Sequence, residues 1–197
     1  MNRTATEERN TEETKIKIAF VVEGSGKSEI DTGIPFMNHM LTLFAKHGFF
    51  DLKVKAKGDL EVDEHHTMED LGIVMGKVMK KALGDKRGIR RYGCFSLPMD
   101  DTLVSIAIDI SGRPYLAYNV TSPVSQVGKM DVRLFQEFFQ SLSTNLACNL
   151  HIDLQRGAEG HHIIEGIFKC FGKALDQATS LDPREKGIPS TKGSLSE

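Results

Sequence analysis

The chain has 197 residues, of which 40% are hydrophobic and 26% are charged, and its formal net charge is -2. This size allows one substantial core or two small fused lobes. The net charge argues against a nucleic-acid partner, and no apolar run reaches the roughly 18 residues of a membrane span. The polar first residues do not resemble a targeting peptide and the three cysteines form no CxxC pair, so we expect a cytoplasmic protein with reduced thiols.

The first half of the chain alternates between strand and helix patterns. Residues 1–8 are predicted to be a flexible N-terminus, and alternating apolar residues at 16–22 predict a strand. The GSGKS segment at 24–28 lacks the spacing of a phosphate loop and is interpreted as a hairpin turn that leads into a short return strand. A helix, a strand and a second helix are predicted next, at about 35–48, 50–56 and 65–83.

The second half repeats this pattern. It predicts strands at about 92–97, 101–109 and 114–120, a helix at 131–147, a strand at 149–154 and a helix at 161–178. Placing HHTME (His65–Glu69) over HHIIE (His161–Glu165) aligns the two closing helices and sets His39 against Glu137. We therefore predict an α+β fold made by tandem duplication of a ββαβα-type unit, with a sheet layer packed against helices. The expected units are 9–91 and 92–181, followed by a tail at 182–197.

The two HHxxE motifs indicate a metal site. In each motif the first histidine and the glutamate are four residues apart, and the second histidine and the glutamate are three apart, so either pair can share a helix face. The adjacent histidines diverge by about 100° and cannot comfortably bind one ion, which suggests two neighbouring metals. Together with the aligned pair, the motifs give eight nitrogen or oxygen ligands: His39, His65, His66, Glu69, Glu137, His161, His162 and Glu165. Such ligands suit Mn, Fe or Zn, and octahedral geometry with open positions favours Mn.

Several basic motifs could bind an anion. Arg90 and Arg91 follow a glycine, Arg113 lies in an SGRP turn, and Ser190, Thr191 and Lys192 form a small-residue loop in the tail. Arginine forks, hydroxyls and a lysine suit the oxygens of a phosphate, although each motif alone is more often a solvated turn. Lys169 lies one helical turn beyond Glu165 and faces the same direction as the metal motif.

Taken together, these motifs resemble the imidazoleglycerol-phosphate dehydratase family from about Arg9 to Leu195. The matching stretches are RNTEET, DTGIPFMNHML, GDLEVDEHHTMED, DISGRPYLAYN, HHIIEGIFK and IPSTKG. The resemblance implies a dimanganese hydro-lyase of histidine biosynthesis, which removes water from D-erythro-imidazole-glycerol phosphate to give imidazole-acetol phosphate. It implies two Mn²⁺ per active site and no organic cofactor. It also implies a homo-oligomer, an octahedral assembly of 24 subunits built from trimers, with active sites shared between subunits.

The resemblance also assigns roles to residues. It implies that one metal takes His39, His65, Glu69 and His161, and that the other takes His66, Glu137, His162 and Glu165. Glu13, Glu69 and Glu165 are the expected catalytic carboxylates. The expected substrate contacts are Glu13 and His47 and, on the phosphate side, Arg91, Arg113, Lys169, Ser190, Thr191 and Lys192. The chain departs from the family pattern at Asn38, where a carboxylate could support the ligand histidine, at Glu137, where histidine is frequent, and at Glu159.

Two other functions share some of these features. A dinuclear metallohydrolase would attack a phosphate ester with a metal-bound hydroxide and would release inorganic phosphate. A metal-storage protein like ferritin builds its sites from Glu and ExxH on long bundled helices, whereas this chain has HHxxE and intervening strands.

Overall fold

The computed structural model describes residues 3–195 and contains two units of strands and helices. The elements of the first unit are β1 Thr4–Asn10, β2 Thr14–Val21, β3 Ser28–Asp31, α1 Pro35–Gly48, β4 Asp51–Gly58 and α2 His65–Leu83. Those of the second are β5 Tyr92–Met99, β6 Thr102–Asp109, β7 Tyr115–Asn119, β8 Gln126–Val127, β9 Met130–Asp131, α3 Arg133–Leu146, β10 Asn149–Arg156 and α4 Gly160–Thr179. None of the helices in this part of the chain is long and apolar enough to cross a membrane.

The two units share one topology. The first sheet has the strand order β1-β2-β4-β3 and the second has β5-β6-β10-β7, with the short β8–β9 hairpin inserted before α3. In both sheets the last strand runs parallel to its neighbour and the other pairs are antiparallel. The α+β class and the tandem duplication are therefore confirmed. Each unit opens with one more strand than the ββαβα outline contains.

The extra strand of the first unit replaces part of the predicted flexible N-terminus. Residues 4–8 belong to β1, which pairs with β2 from Thr4↔Val21 to Asn10↔Lys15. Its sequence, TATEERN, contains a single apolar residue, Ala5. Backbone pairing along the sheet edge holds this strand, so a hydrophobic pattern could not reveal it. Residues 1–2 of that prediction, like residues 196–197 of the predicted tail, lie outside the described part of the chain.

The GSGKS segment is not a hairpin turn. β3 pairs with β4 in parallel, and β4 lies between β2 and β3, so the segment crosses to the far side of β4. The Asp51 carboxylate accepts hydrogen bonds from the backbone N–H groups of Ser25 at 2.7 Å and Lys27 at 3.0 Å. The Asp51 carboxylate at the start of β4 thus fixes the path of this crossing segment. A hairpin would instead need β2 and β3 to be adjacent and antiparallel.

The helices of the two units pack across each other. α2 lies on the first sheet and against α3, while α4 lies on the second sheet and against α1, and both units share one buried apolar cluster. Two equivalent glycines allow this close packing. A Cβ on Gly76 would lie 2.6 Å from the carbonyl oxygen of Leu142, and one on Gly172 would lie 2.7 Å from that of Phe44. The duplication therefore includes the points at which the helix backbones touch.

Both HH motifs lie at one end of the molecule, which we call the histidine end. α1 and α4 begin together, since the rings of Phe36 and His161 are 5.2 Å apart. α4 begins beside the start of β6, where the N–H of Ala158 donates to Asp101 at 2.6 Å. α2 and α4 also end on the same side, at the beginning of β1, because Lys81 donates to the carbonyl oxygen of Thr6 at 3.0 Å and Arg3 donates to that of Thr179 at 2.8 Å. The helices therefore present their N-terminal ends, with the predicted ligands, to the same side.

Candidate active site

Three predicted ligands meet where α1 packs on α4. The Nε2 atoms of His39 and His161 lie 3.3 Å and 3.1 Å from the same carboxylate oxygen, Oε2 of Glu165. Glu165 is largely buried, at 8% exposure, while the two imidazoles are close to half exposed. One ligand atom from each residue lies within 4.8 Å of the other two. Two imidazoles and a carboxylate that converge at this spacing, open to solvent on one side, form a half-site whose donor atoms suit a divalent metal.

The seam between the same helices continues with charged and polar groups. Nζ of Lys169 lies 2.5 Å from the other oxygen of Glu165. Burial tends to raise the pKa of Glu165, but the hydrogen bond with Lys169 and its positive charge outweigh burial, so the pKa is lowered and the carboxylate stays ionised. Burial, together with the charges of Lys169 and Lys173, lowers the pKa of His47, which favours a neutral imidazole at neutral pH. His47 and Lys169 thus lie along the same helix seam as the half-site, and their contact with substrate stays a prediction.

The equivalent position between α2 and α3 carries His65, Glu69 and Glu137. Nε2 of His65 lies 3.9 Å from Oε2 of Glu69, and Glu137 is exposed on α3. Among the described residues, only the α1–α4 position gathers three metal-ligating groups this closely. The duplication nevertheless makes the two positions counterparts, with a carboxylate at Glu137 where His39 provides an imidazole.

The grouping of ligands differs from the one that the sequence predicted. Glu165 was expected to share a metal with His162, but it lies with His39 and His161. The reason is helical geometry: residues four apart, such as His161 and Glu165, lie on the same face toward α1. His162 is turned about 100° around the axis and faces another direction. By the same geometry, His65 pairs with Glu69 while His66 points elsewhere.

Each second histidine is held by a carboxylate that sequence analysis did not identify. Nδ1 of His66 donates to Asp59 at 2.9 Å, and Nδ1 of His162 donates to Asp101 at 3.2 Å. These hydrogen bonds raise the pKa of both imidazoles, and they leave each Nε2 free to bind a metal. Oδ1 of Asp59 is buried without a hydrogen-bond partner among the described atoms. An acidic residue seven positions before the second histidine of an HH pair is a weak signal, and Asp101 reaches His162 only through the fold.

Glu13 lies beside one of these histidines. Its carboxylate is 3.7 Å from Nε2 of His66, at the start of β2, and its side chain is 55% exposed. The structure thus brings this predicted catalytic group to the histidine end, although it is remote in sequence from both motifs.

The two departures at Asn38 and Glu159 have structural roles of their own. Oδ1 of Asn38 accepts hydrogen bonds from the backbone N–H of Thr32 at 2.9 Å and from its hydroxyl at 2.6 Å. Asn38 therefore fixes the turn before α1. The Glu159 carboxylate accepts from the backbone N–H of His162 at 2.7 Å and caps the first turn of α4.

The predicted phosphate contacts other than Lys169, which lies beside Glu165, line a separate pocket of about 400 Å³. Its polar lining consists of Arg91, Ser111, Arg113, Ser190, Thr191, Lys192 and Ser194. Both carboxylate oxygens of Asp109 accept from Arg91, at 2.7 Å and 3.0 Å, and these hydrogen bonds raise the pKa of the guanidinium. Within residues 3–195, no ion pair involves the side chain of Arg113 or Lys192. Two exposed cations beside a hydroxyl-rich loop are suited to a phosphate.

The phosphate pocket lies at the opposite end from the histidines. Arg91 pairs with Asp109 at the end of β6, whereas His162 pairs with Asp101 just before the start of β6. β6 has eight residues, so about 23 Å of strand separates the two positions. One copy of the chain therefore keeps the histidines of the two HH motifs and the residues of this pocket far apart.

Comparison with known proteins shows what the chain resembles. A family model described as imidazoleglycerol-phosphate dehydratase matches residues 32–175. Proteins of that name from Geobacter metallireducens and Pelobacter propionicus are 54% and 55% identical, each over 99% of this chain and all of their own length. The crystal structure of the dehydratase from Staphylococcus aureus is 40% identical, with a TM-score of 0.82 over 91% of this chain and 99% of its own. The enzyme from Pyrococcus furiosus, solved in complex with (S)-C348, is 35% identical, with a TM-score of 0.83 over 95% and 99%.

Proposed function

The chain belongs to the imidazoleglycerol-phosphate dehydratase family of histidine biosynthesis, and from this premise we propose that its hydro-lyase site uses two Mn²⁺ ions and is completed by neighbouring copies. The substrate is D-erythro-imidazole-glycerol phosphate and the product is imidazole-acetol phosphate. The observation that carries the proposal is the convergence of His39 and His161 on Glu165.

The first metal would be held by His39, His161 and Glu165. These donors are imidazole nitrogen and carboxylate oxygen without thiolate, which suits Mn²⁺, and the buried Glu165 is kept ionised by Lys169. The second metal would be held by the duplicated set His65, Glu69 and Glu137. When bound, the metals supply Lewis-acid polarisation of the imidazole ring of the substrate and a template that orients it.

A neighbouring copy would complete each set of ligands. His66 and His162 are turned about 100° around their helices from His65 and His161, and Asp59 and Asp101 hold their Nδ1 atoms, which leaves Nε2 as the ligand atom. Such a carboxylate–histidine arrangement is typical of a metal ligand. Each metal would thus gain its fourth protein ligand from the second histidine of another subunit.

The position of the phosphate pocket supports the same conclusion. The ring and the phosphate of the substrate are joined by a three-carbon chain and lie within roughly 10 Å of each other. That is less than half the separation of about 23 Å along β6 in one copy. The phosphate end of one subunit would therefore meet the histidine end of another. Contacts of this head-to-tail kind close into symmetric rings, which is compatible with an octahedral assembly of 24 subunits built from trimers.

Within such a site the chain would bind and move specific groups. Arg113, Lys192 and the hydroxyls of Ser190 and Thr191 would bind the phosphate through charge-assisted hydrogen bonds, with Arg91 held in place by Asp109. The exposed carboxylate of Glu13, beside His66, is the proposed base for the proton on the second carbon from the ring, while the hydroxyl leaves from the carbon next to the ring.

The test is a spectroscopic assay for imidazole-acetol phosphate. Protein stripped of metal with a chelator should be inactive, and Mn²⁺ should restore activity, whereas Mg²⁺, which binds imidazole poorly, should not. Inorganic phosphate is measured in the same reactions. If the protein released phosphate and formed no imidazole-acetol phosphate, it would be a phosphate-ester hydrolase. Full activity in metal-free protein would refute the role of the metals.

A further inference from the structure

A buried lysine lies behind the phosphate pocket. Lys86 belongs to the connector between α2 and β5, residues 84–91, and is 4% exposed. Its backbone has a φ of 63°, in the left-handed region that non-glycine residues rarely adopt. Burying an ammonium group has a large cost in free energy unless it is hydrogen-bonded. The burial and the backbone conformation of Lys86 both lower the stability of the folded chain. The group that binds this ammonium therefore indicates what the lysine does.

That partner is the C-terminal tail. Nζ of Lys86 donates to the carbonyl oxygen of Leu195 at 2.9 Å, and Leu195 is itself 6% exposed and lines the phosphate pocket. Burial lowers the pKa of Lys86, and the hydrogen bond to Leu195 is the compensation that the structure provides. The end of the tail is thus attached to the connector by a desolvated cation.

A second cation of the connector, Arg91, holds the other end of the loop that contains residues 190–192. Nη1 of Arg91 donates to the carbonyl oxygen of Pro189 at 3.0 Å, and the N–H of Gly88 donates to Gly187 at 2.8 Å. The residues between these attachments include Ser190, Thr191 and Lys192. Within the loop, the N–H of Gly193 donates to the carbonyl oxygen of Ser190 at 3.0 Å, and the N–H of Lys192 donates to the hydroxyl of Ser190 at 3.2 Å. Both ends of the loop are therefore attached to the connector.

We propose that Lys86 is a positioning residue for phosphate recognition, which fixes the far end of the 190–192 loop so that its hydroxyls and Lys192 face the phosphate beside Arg113. The inference rests on the proposed function, because it assumes that this pocket binds the substrate phosphate. Lys86 does not touch the phosphate itself. Its loss should therefore weaken substrate binding and leave the chemical step intact.

The experiment compares Lys86→Met with Lys80→Met in the assembled, Mn²⁺-loaded enzyme. Lys80 is an exposed lysine on α2, so its variant loses the same charge without the buried contact. We expect Lys86→Met to raise KM roughly tenfold, the effect of one lost hydrogen bond to a charged group, and to weaken inhibition by inorganic phosphate to the same degree. The kcat should stay within about twofold. Lys86→Arg should restore most of the binding, and Lys80→Met should match the unsubstituted enzyme.

A second variant covers the case in which Lys86→Met does not fold. A chain that ends at Ser194 lacks the acceptor carbonyl of Leu195 and keeps Lys86, so it should show the same rise in KM. The effect of combining both changes should be smaller than the sum of their separate effects, because each of them removes the hydrogen bond between Lys86 and Leu195. A KM and a phosphate inhibition constant unchanged in either folded variant would refute the role of Lys86. If Arg113→Ala also left KM unchanged, the phosphate pocket itself would be wrong, and the proposed function would need revision.

Discussion

Replacing Gly172 with alanine tests the close packing of α1 on α4 that brings the half-site together. The new Cβ would lie 2.7 Å from the carbonyl oxygen of Phe44 and 3.1 Å from the backbone nitrogen of Gly48. Non-bonded carbon and oxygen atoms pack well at about 3.5 Å, so the overlap with the carbonyl is about 0.8 Å. Both obstacles are backbone atoms of α1, which cannot rotate aside as a side chain could. The helices must therefore separate.

The magnitude follows from two opposing terms. Overpacking costs about 1–3 kcal/mol, while alanine is a better helix former than glycine by about 0.5–1 kcal/mol. Gly166→Ala is the matched control, because it lies on the same helix and its Cβ would make ordinary contacts, 3.4 Å and 3.5 Å from the methyl carbons of Val104 and Thr102. Both variants gain the helix propensity, so the difference between them isolates the clash. Gly172→Ala should be about 1–3 kcal/mol less stable than Gly166→Ala.

The assay is urea denaturation of metal-free protein, with both variants at one protein concentration because association shifts apparent stability. A separation of α1 from α4 also moves His39 away from Glu165, so Gly172→Ala should bind less Mn²⁺ than the control. If the two variants unfolded at the same urea concentration, the helix backbones would not be in contact at Gly172, and the account of how the half-site is formed would fail.

The metal ligands, the phosphate pocket and the assembly can each be tested separately. His161→Ala should lower the Mn²⁺ content per chain, whereas His151→Ala, on the exposed face of the second sheet, should not; equal metal content would remove His161 from the ligand set. Arg113→Ala should raise KM roughly 10–150-fold, the loss of a charge-assisted contact of about 1.5–3 kcal/mol, with metal content unchanged; an unchanged KM would mean that the phosphate binds elsewhere. Chelation, or a pH lowered toward about 5, should give smaller particles in light scattering, because ligand imidazoles must be neutral and the raised pKa of His66 and His162 favours their protonation as the pH falls. A particle mass that persists after verified removal of metal would contradict the shared site.

The sequence was most informative where local signals agreed. α1 runs from Pro35 to Gly48, as predicted, because apolar spacing, a first-turn proline and a closing glycine all indicate the same helix. The duplication was visible because both HHxxE motifs occur at the start of a helix that follows a strand. These features depend on residues within a few turns of one another, which is the range over which periodicity carries information.

The features that could not be predicted depend on tertiary contacts. β1 has almost no apolar residue and exists through its pairing with β2. β3 lies beside β4 because of the strand order of the sheet, which no local pattern specifies. Asp101 meets His162 only because the β5–β6 turn reaches the start of α4. In each case the contact joins two separate segments of the chain, and no local pattern marks that contact.

The grouping of the ligands connects helix geometry with association. Because His161 is four residues from Glu165, it turns toward α1 and shares a half-site within the chain. His162, one residue further, turns outward by about 100° and carries its Nε2 beyond the reach of that half-site. In the proposed function, each HH pair would therefore have one histidine for a metal within its own chain and one for a metal held by a neighbouring copy. Since the chain contains the pair twice, each copy would offer two outward histidines for the two proposed metal positions. A closed assembly would supply all of these ligands at once, whereas an isolated copy would leave each proposed position one ligand short. Metal binding and assembly should thus stabilise each other.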